Sequence, residues 1–181
     1  YSVDSHGEKT LIRLYSYDEV KDMKMWLVAG KYSIAVEGGV KSPASFTDIY
    51  YQGHTDFELA AGEDKTINVK VSPKNTLIKV VFDESVTTKM KNAQAVIAID
   101  DTFRVDKIIS GEVANLTYKQ TAVGFFMIDE EQTSFAWNFS GEVTSKGTSV
   151  EKMGVYTPAD GFKEGAQYTI TFKYSDDLGG Y

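Results

Sequence analysis

Two histidines, four acidic clusters and one aromatic–polar stretch are the parts of this chain whose residue types could do chemistry. Histidine is the usual base at neutral pH. His6 stands beside Gly7, and His54 follows Gln52-Gly53. Both read as exposed turn residues rather than catalytic bases or metal ligands. The acidic clusters are Asp83-Glu84, Asp100-Asp101, Asp129-Glu130-Glu131 and Asp176-Asp177. Paired carboxylates serve glycoside hydrolysis and calcium binding. Neighbours along a strand point to opposite faces, so adjacency alone makes no catalytic dyad. No spaced EF-hand loop occurs. Loops carrying Asp100, Asp101 and Asp129 would be the place for a calcium-dependent adhesion module, a third and weaker reading. The favoured reading is solvated turns that keep the protein soluble.

Other chemistries fail on context. There is no Gly-x-Ser-x-Gly elbow, no strand–helix frame to hold one, and no glycine-rich phosphate loop. Cysteine is absent, which removes thiol catalysis, disulfides, thiolate zinc sites and iron–sulfur clusters. We expect no enzyme, no catalytic residue, no cofactor and no metal. The densest aromatic–polar patch is Tyr50, Tyr51, Gln52, His54 and Asp56. Aromatic faces stack on sugars, and flanking amides and carboxylates fix hydroxyls, so this patch is the candidate glycan or partner contact. The competing and favoured reading makes one tyrosine core and lets the other cover a strand edge.

The elements that must position these residues repeat with period two. Tyr32, Ile34 and Val36 alternate with polar or small neighbours. So do Ile67, Val69 and Val71; Phe135, Trp137 and Phe139; and Tyr168, Ile170, Phe172 and Tyr174. Alternation places every second side chain on one sheet face, which predicts half-buried strands. Leu77–Phe82 and Ala95–Ile99 are more continuously apolar and predict burial on both faces. Asn115-Leu116-Thr117 and Asn138-Phe139-Ser140 match the glycosylation triplet and read as strand residues. Trp26 and Trp137 are expected in the core.

Turn signals such as Gly38-Gly39, Ala61-Gly62 and Ser145-Lys146-Gly147 separate the runs at short spacing. Many short strands with regular turns predict β-sandwiches. The clearest helix is short, with Ser85 capping Val86–Lys91. No long amphipathic helix alternates with the strands, which argues against a doubly wound fold. Pro73 cannot donate to a ladder and sits in a polar turn between two strong strands. The boundary is therefore placed there, giving two β-sandwich domains over residues 1–74 and 75–181.

The 181 residues carry 19 Lys+Arg against 26 Asp+Glu, a net charge of −7. An acidic chain without a basic stripe is a poor partner for nucleic acid. No apolar run reaches the roughly 18 residues that span a bilayer. The chain opens at Tyr1 rather than methionine, which reads as a trimmed product, natural or recombinant. An exported location stays open, since a chain of this size builds a core without disulfides.

Three stretches carry a resemblance. Trp26-Leu27-Val28-Ala29-Gly30-Lys31-Tyr32-Ser33-Ile34-Ala35-Val36-Glu37-Gly38 is similar to an L-x-A-G-x-Y strand–turn–strand signature. Ala44-Ser45-Phe46, Tyr50-Tyr51-Gln52-Gly53 and Phe57-Glu58-Leu59-Ala60-Ala61-Gly62-Glu63 resemble the A-x-F, Y-Y-x-G and A-G-E run that follows it. Thr76–Asp83 resembles the next strand. Together they resemble the uncharacterised-domain family of Bacteroidetes surface lipoproteins, close to the fimbrillins. The specific match covers residues 24–83, and Asp48-Ile49 departs from it where proline is expected.

The resemblance implies two tandem transthyretin-like sandwiches and an exported, lipid-anchored precursor at the outer membrane or in fimbriae. The implied role is a non-catalytic pilus subunit. Proteolysis removes its first strand, and a segment of a neighbouring subunit fills the groove. Tyr1-Ser2-Val3 resembles the family's second strand, so the strand before it is absent from this chain. The implied partners are neighbouring subunits of the same or related pilins, and a host or dietary glycan or protein. Gln167–Ser175 is the strongest alternating run, but it reads as the last core strand rather than a donor, and the tail Asp176–Tyr181 is too polar to be one. The alternative is a monomeric, lipid-anchored surface glycan-binding protein.

Overall fold

A computed structural model of the chain describes residues 1–175. The pair Asp176-Asp177, the tail glycines Gly179-Gly180 and the rest of Asp176–Tyr181 lie outside the described residues. In chain order the elements are β1 (Ser2–Val3), β2 (Lys9–Thr10), α1 (Tyr17–Val20), β3 (Gly30–Gly39), β4 (Ala44–Ser45), β5 (Tyr50–Leu59) and β6 (Ser72–Pro73). They continue with β7 (Thr76–Phe82), α2 (Glu84–Lys89), β8 (Met90–Ala98), α3 (Val105–Ser110), β9 (Asn115–Tyr118) and β10 (Ala122–Phe126). Last come β11 (Phe135–Val143), β12 (Thr148–Tyr156) and β13 (Gln167–Phe172). The fold is mostly β-sheet, as the period-two pattern predicts, and no described helix exceeds six residues.

The chain divides into two compact units. Unit one is Tyr1–Gly38 with Tyr51–Ser72, and unit two is Gly39–Tyr50 with Pro73–Tyr181. One crossing, from Ser72 to Pro73, falls in the turn marked by the proline. The other two assign residues 39–50 to unit two.

Unit two is a two-layer structure. One sheet has the order β13-β7-β10-β4 and the other β12-β11-β8-β9. Thr76, Ile78, Val80 and Phe82 of β7 are buried at every second position, and Leu77, Lys79 and Val81 are half-buried on the other face. One shared core takes Ile78, Val80 and Phe82 from the first sheet and Ala95, Ile97, Phe135 and Phe139 from the second. The rings of Phe139 and Phe172 stack at 4.9 Å, and Phe82 lies 6.1 Å from Phe139 and 6.0 Å from Phe172. β13 is thus the last strand of this core, paired parallel to β7 from Gln167 to Phe172. Trp137 packs on Phe172 at 5.4 Å, as expected of a core tryptophan.

Buried polar groups tie the layers. The Tyr118 hydroxyl donates to the Ile78 carbonyl at 2.9 Å, and burial pushes its pKa up. Gly124 leaves the room for that hydroxyl, because a Cβ there would collide with it. Fully buried Asn75 accepts the Tyr50 N–H through Oδ1 at 2.8 Å, and its carbonyl accepts the Gly165 N–H at 2.9 Å. Both asparagines of the glycosylation triplets serve strand structure. Asn138 is buried and donates to Glu151 at 2.8 Å, and Asn115 donates to the Val113 carbonyl at 3.1 Å.

The capping residue differs from the expected one. Asp83 caps α2, accepting from the Ser85 N–H at 3.0 Å and the Ser85 hydroxyl at 2.7 Å. The helix therefore starts at Glu84, because a carboxylate two residues ahead of Ser85 reaches the orphan N–H groups of the first turn.

Unit one is built on a single sheet, order β2-β1-β3-β5-β6. Tyr32 and Ser33 are its only buried described residues. Trp26 is 95% exposed, which corrects the expectation of a core tryptophan. Leu14, Tyr17 and Val28 are exposed as well. The run Ile67, Val69, Val71 is not a strand, although Ile67 and Val69 keep the half-buried alternation. It lies along β5, with the Thr55 hydroxyl on the Asn68 carbonyl at 3.3 Å and the Lys70 backbone against Gly53, but among the described residues no regular ladder starts before β6.

Phe139→Ala should cost unit two about 3–5 kcal/mol, since it removes a ring from a packed core. Tyr118→Phe should cost about 1–2 kcal/mol through loss of the buried hydroxyl's bond to the Ile78 carbonyl. Urea denaturation followed by near-ultraviolet circular dichroism checks both, and equal losses would contradict the assignment.

Candidate functional site

β5 carries the aromatic–polar patch, and strand geometry divides it. Tyr51 and Gln52 are neighbours along the strand, so their side chains leave opposite faces. Tyr50 belongs to unit two, is 9% exposed, and has Lys41 over its ring at 5.8 Å. Tyr51, in unit one, is 37% exposed. Gln52, His54 and Asp56 share one face of β5 by alternation. Gln52 donates to Glu37 at 3.1 Å. His54 is exposed.

Asp56 has the best-defined surroundings of the patch. Lys9 of β2 donates to Asp56 at 2.9 Å and to the hydroxyl of buried Ser33 on β3 at 3.0 Å. The Ser33 hydroxyl, and then the Lys9 ammonium, hold the Asp56 carboxyl below the usual carboxylate value. The polar face of the sheet is thus a row running Lys9, Ser33, Asp56 with the Glu37–Gln52 pair beyond it. Nothing in the spacing of Lys9 signalled this, because its place depends on the pairing of β1 with β2 and β3. The opposite face holds Tyr32 and Phe57, whose rings stack at 5.6 Å.

The backbone edge of β3 is the second feature. Val3 pairs with Lys31, and Ser2 lies opposite Tyr32. One step further, the Ser33 N–H donates to the Tyr1 carbonyl at 3.1 Å and the Tyr1 ammonium donates to the Ser33 carbonyl at 3.0 Å. Backbone groups alternate sides along an antiparallel strand. Ala35 and Glu37 therefore present the next N–H and C=O groups on this side of β3. β1 runs along Lys31 to Ser33, and in the same register Ala35 and Glu37 lie opposite positions before Tyr1.

The remaining chemistry-bearing residues are spread out. His6 is exposed in the Asp4–Glu8 turn, 3.9 Å from Asp4. Asp100 pairs with Arg104, whose guanidinium holds the Asp100 carboxyl below its ordinary value. Asp129, Glu130 and Glu131 are exposed. Among the described residues no group of three or more His, Asp or Glu gathers as a metal site would require. No described helix is long and apolar enough to cross a membrane.

A family model described as a domain of unknown function, DUF4493, matches residues 3–181. The chain belongs to the DUF4493 family. No curated protein and no solved structure matches it. The DUF4493 match covers both units, so the edge of β3 and the face of β5 lie inside the family's domain. An uncharacterised-domain family agrees with the coarser part of the resemblance drawn from residues 24–83.

The Asp56 arrangement gives a pH signature. A carboxyl whose pKa is depressed on folding adds stability above its ordinary value, and that stability is lost as pH falls through the folded value. Asp56→Asn should therefore lower the melting temperature slightly at pH 7. The gap should close as the pH falls well below the ordinary value of 3.8. Paired thermal melts from pH 7 to pH 2 check this, and a constant gap would contradict it.

Proposed function

We propose that this DUF4493 chain is a non-catalytic cell-surface structural or adhesive protein, a fimbrillin-like pilus subunit that assembles by strand exchange. The single observation that carries this reading is the sheet of unit one, in which Tyr32 and Ser33 are the only buried described residues. A strand added from another chain would supply main-chain hydrogen bonds and seat alternate side chains against such a sheet. A head-to-tail contact of this kind does not close on itself, so it grows filaments. The resemblance over residues 24–83 supports the same reading. It adds two tandem transthyretin-like sandwiches, export, a lipid anchor on the precursor and an outer-membrane or fimbrial location.

A second reading, a monomeric surface protein that binds glycans, is favoured by the polar row on β5 and β3. Amide and carboxylate groups at Gln52, Glu37 and Asp56 are of the kind that fix sugar hydroxyls. Tyr50 is buried, and adjacent strand residues leave opposite faces, which weighs against a flat aromatic platform.

Strand exchange predicts concentration-dependent filaments or detergent-resistant ladders, seen by electron microscopy and gel electrophoresis. Ala35→Pro removes the outward N–H while sparing the β5 side of β3, and proline is tolerated on strand edges. It should abolish assembly and leave the far-ultraviolet circular dichroism unchanged. A wild-type chain that stays monomeric in light scattering at every concentration would sink strand exchange, as would an Ala35→Pro variant that assembles normally.

A further inference from the structure

Among the described residues unit two has an unfilled strand edge, and it opens onto a cavity. β9 pairs with β8 only from Ala95↔Tyr118 to Ala98↔Asn115. Beyond that, Met90 to Gln94 of β8 pair with β11 on one side, and among the described residues no strand lies along the other. The chain cannot continue β9 there. After Tyr118 it turns away to Ala122, which pairs with Val80 in the other sheet. The Thr121 hydroxyl accepts the Phe82 N–H at 3.0 Å and fixes that departure. A bulge marks the same place, with three steps from Lys91 to Gln94 facing two from Ser140 to Glu142. Asn92 in the bulge has φ 54°, the one non-glycine residue in the left-handed region among the described residues.

The space left over is a cavity of about 510 Å³, within the range of ligand pockets. Its floor is buried Phe82, Val86 and Met90. Thr87 of α2 and Thr121 bring hydroxyls to the lining, and Asn92, Gln94 and Gln120 bring amides. Among the described residues Lys119 is the only charged side chain lining it. The nearby Lys91 is turned to Glu142 at 2.8 Å.

We infer that this cleft is a docking site for an extended peptide that carries an apolar side chain next to an acidic one. A bare strand edge asks for a row of main-chain donors and acceptors, which a peptide supplies and a sugar or lipid does not. An apolar floor beneath that edge takes every second side chain of the added strand. The single rim cation selects an anionic neighbour. The site lies wholly in unit two and does not depend on the strand-exchange reading of unit one.

The test uses the full chain carrying Ala35→Pro, so that the unit-one edge is blocked. The probe is a fluorescein-labelled octapeptide alternating Thr and Leu, with Glu at each end, followed by anisotropy. Binding should weaken about fivefold in Lys119→Glu. It should be lost in Thr87→Trp, which fills the cavity, and weaken about tenfold for a probe N-methylated at alternate residues. A Lys-ended probe should bind less tightly than the Glu-ended one. No binding up to about 1 mM, a weak range for any specific site, would overturn the proposal. So would binding that ignores both Lys119→Glu and Thr87→Trp, or binding present in the wild type and absent from the Ala35→Pro chain. Self-association abolished by Thr87→Trp, with the peptide ignored, would place a second copy in the cleft and overturn the peptide assignment.

Discussion

The stack of Phe139 on Phe172, with Phe82 beside it, closes one sheet of unit two onto the other. The three rings come from β11, β13 and β7, which lie far apart in sequence. Their contact is what lets a parallel strand at the chain's end serve as a core strand. A sheet must hide one face, and burial of large apolar side chains is the main term that offsets the entropy of ordering the backbone. Unit two meets that condition with both its sheets. Unit one presents the reverse case, a sheet with two buried described side chains and exposed Leu14, Tyr17, Trp26 and Val28. The contrast follows from pairing, because β3 and β5 are long while β1, β2 and β6 are two residues each.

Much of unit two was legible from periodicity. Phe135 and Phe139 on β11, and Tyr168, Ile170 and Phe172 on β13, stand where a period of two puts them. Leu77–Phe82 read as doubly buried because Lys79 was the only polar break. Its true pattern is a clean alternation in an interior strand. Ile67, Val69 and Val71 alternate without forming a strand. Alternation reports which side a residue faces, and a ladder also needs a neighbour in register. Trp26 failed for a related reason, since a tryptophan is core only when a second layer exists to receive it.

The candidate site was legible in part. Five residues from Tyr50 to Asp56 drew attention by type, and three of them, Gln52, His54 and Asp56, share a face because their spacing is even. What composition could not carry was the Lys9–Ser33–Asp56 tie, which joins three strands, or the division that places Tyr50 in unit two. Backbone edges are further from view still. The open stretch of β8 is set by where β9 stops, and no side chain announces that.

The open edge of β8 has a simple physical origin. A short strand leaves a longer neighbour with unpaired backbone, and natural sheets protect such stretches with charge, proline, a bulge or a covering element. β8 carries a bulge at Asn92, and a bulge bends a strand away from edge pairing. That device guards against indiscriminate addition, while the apolar floor beneath it still rewards a segment of the right side-chain spacing.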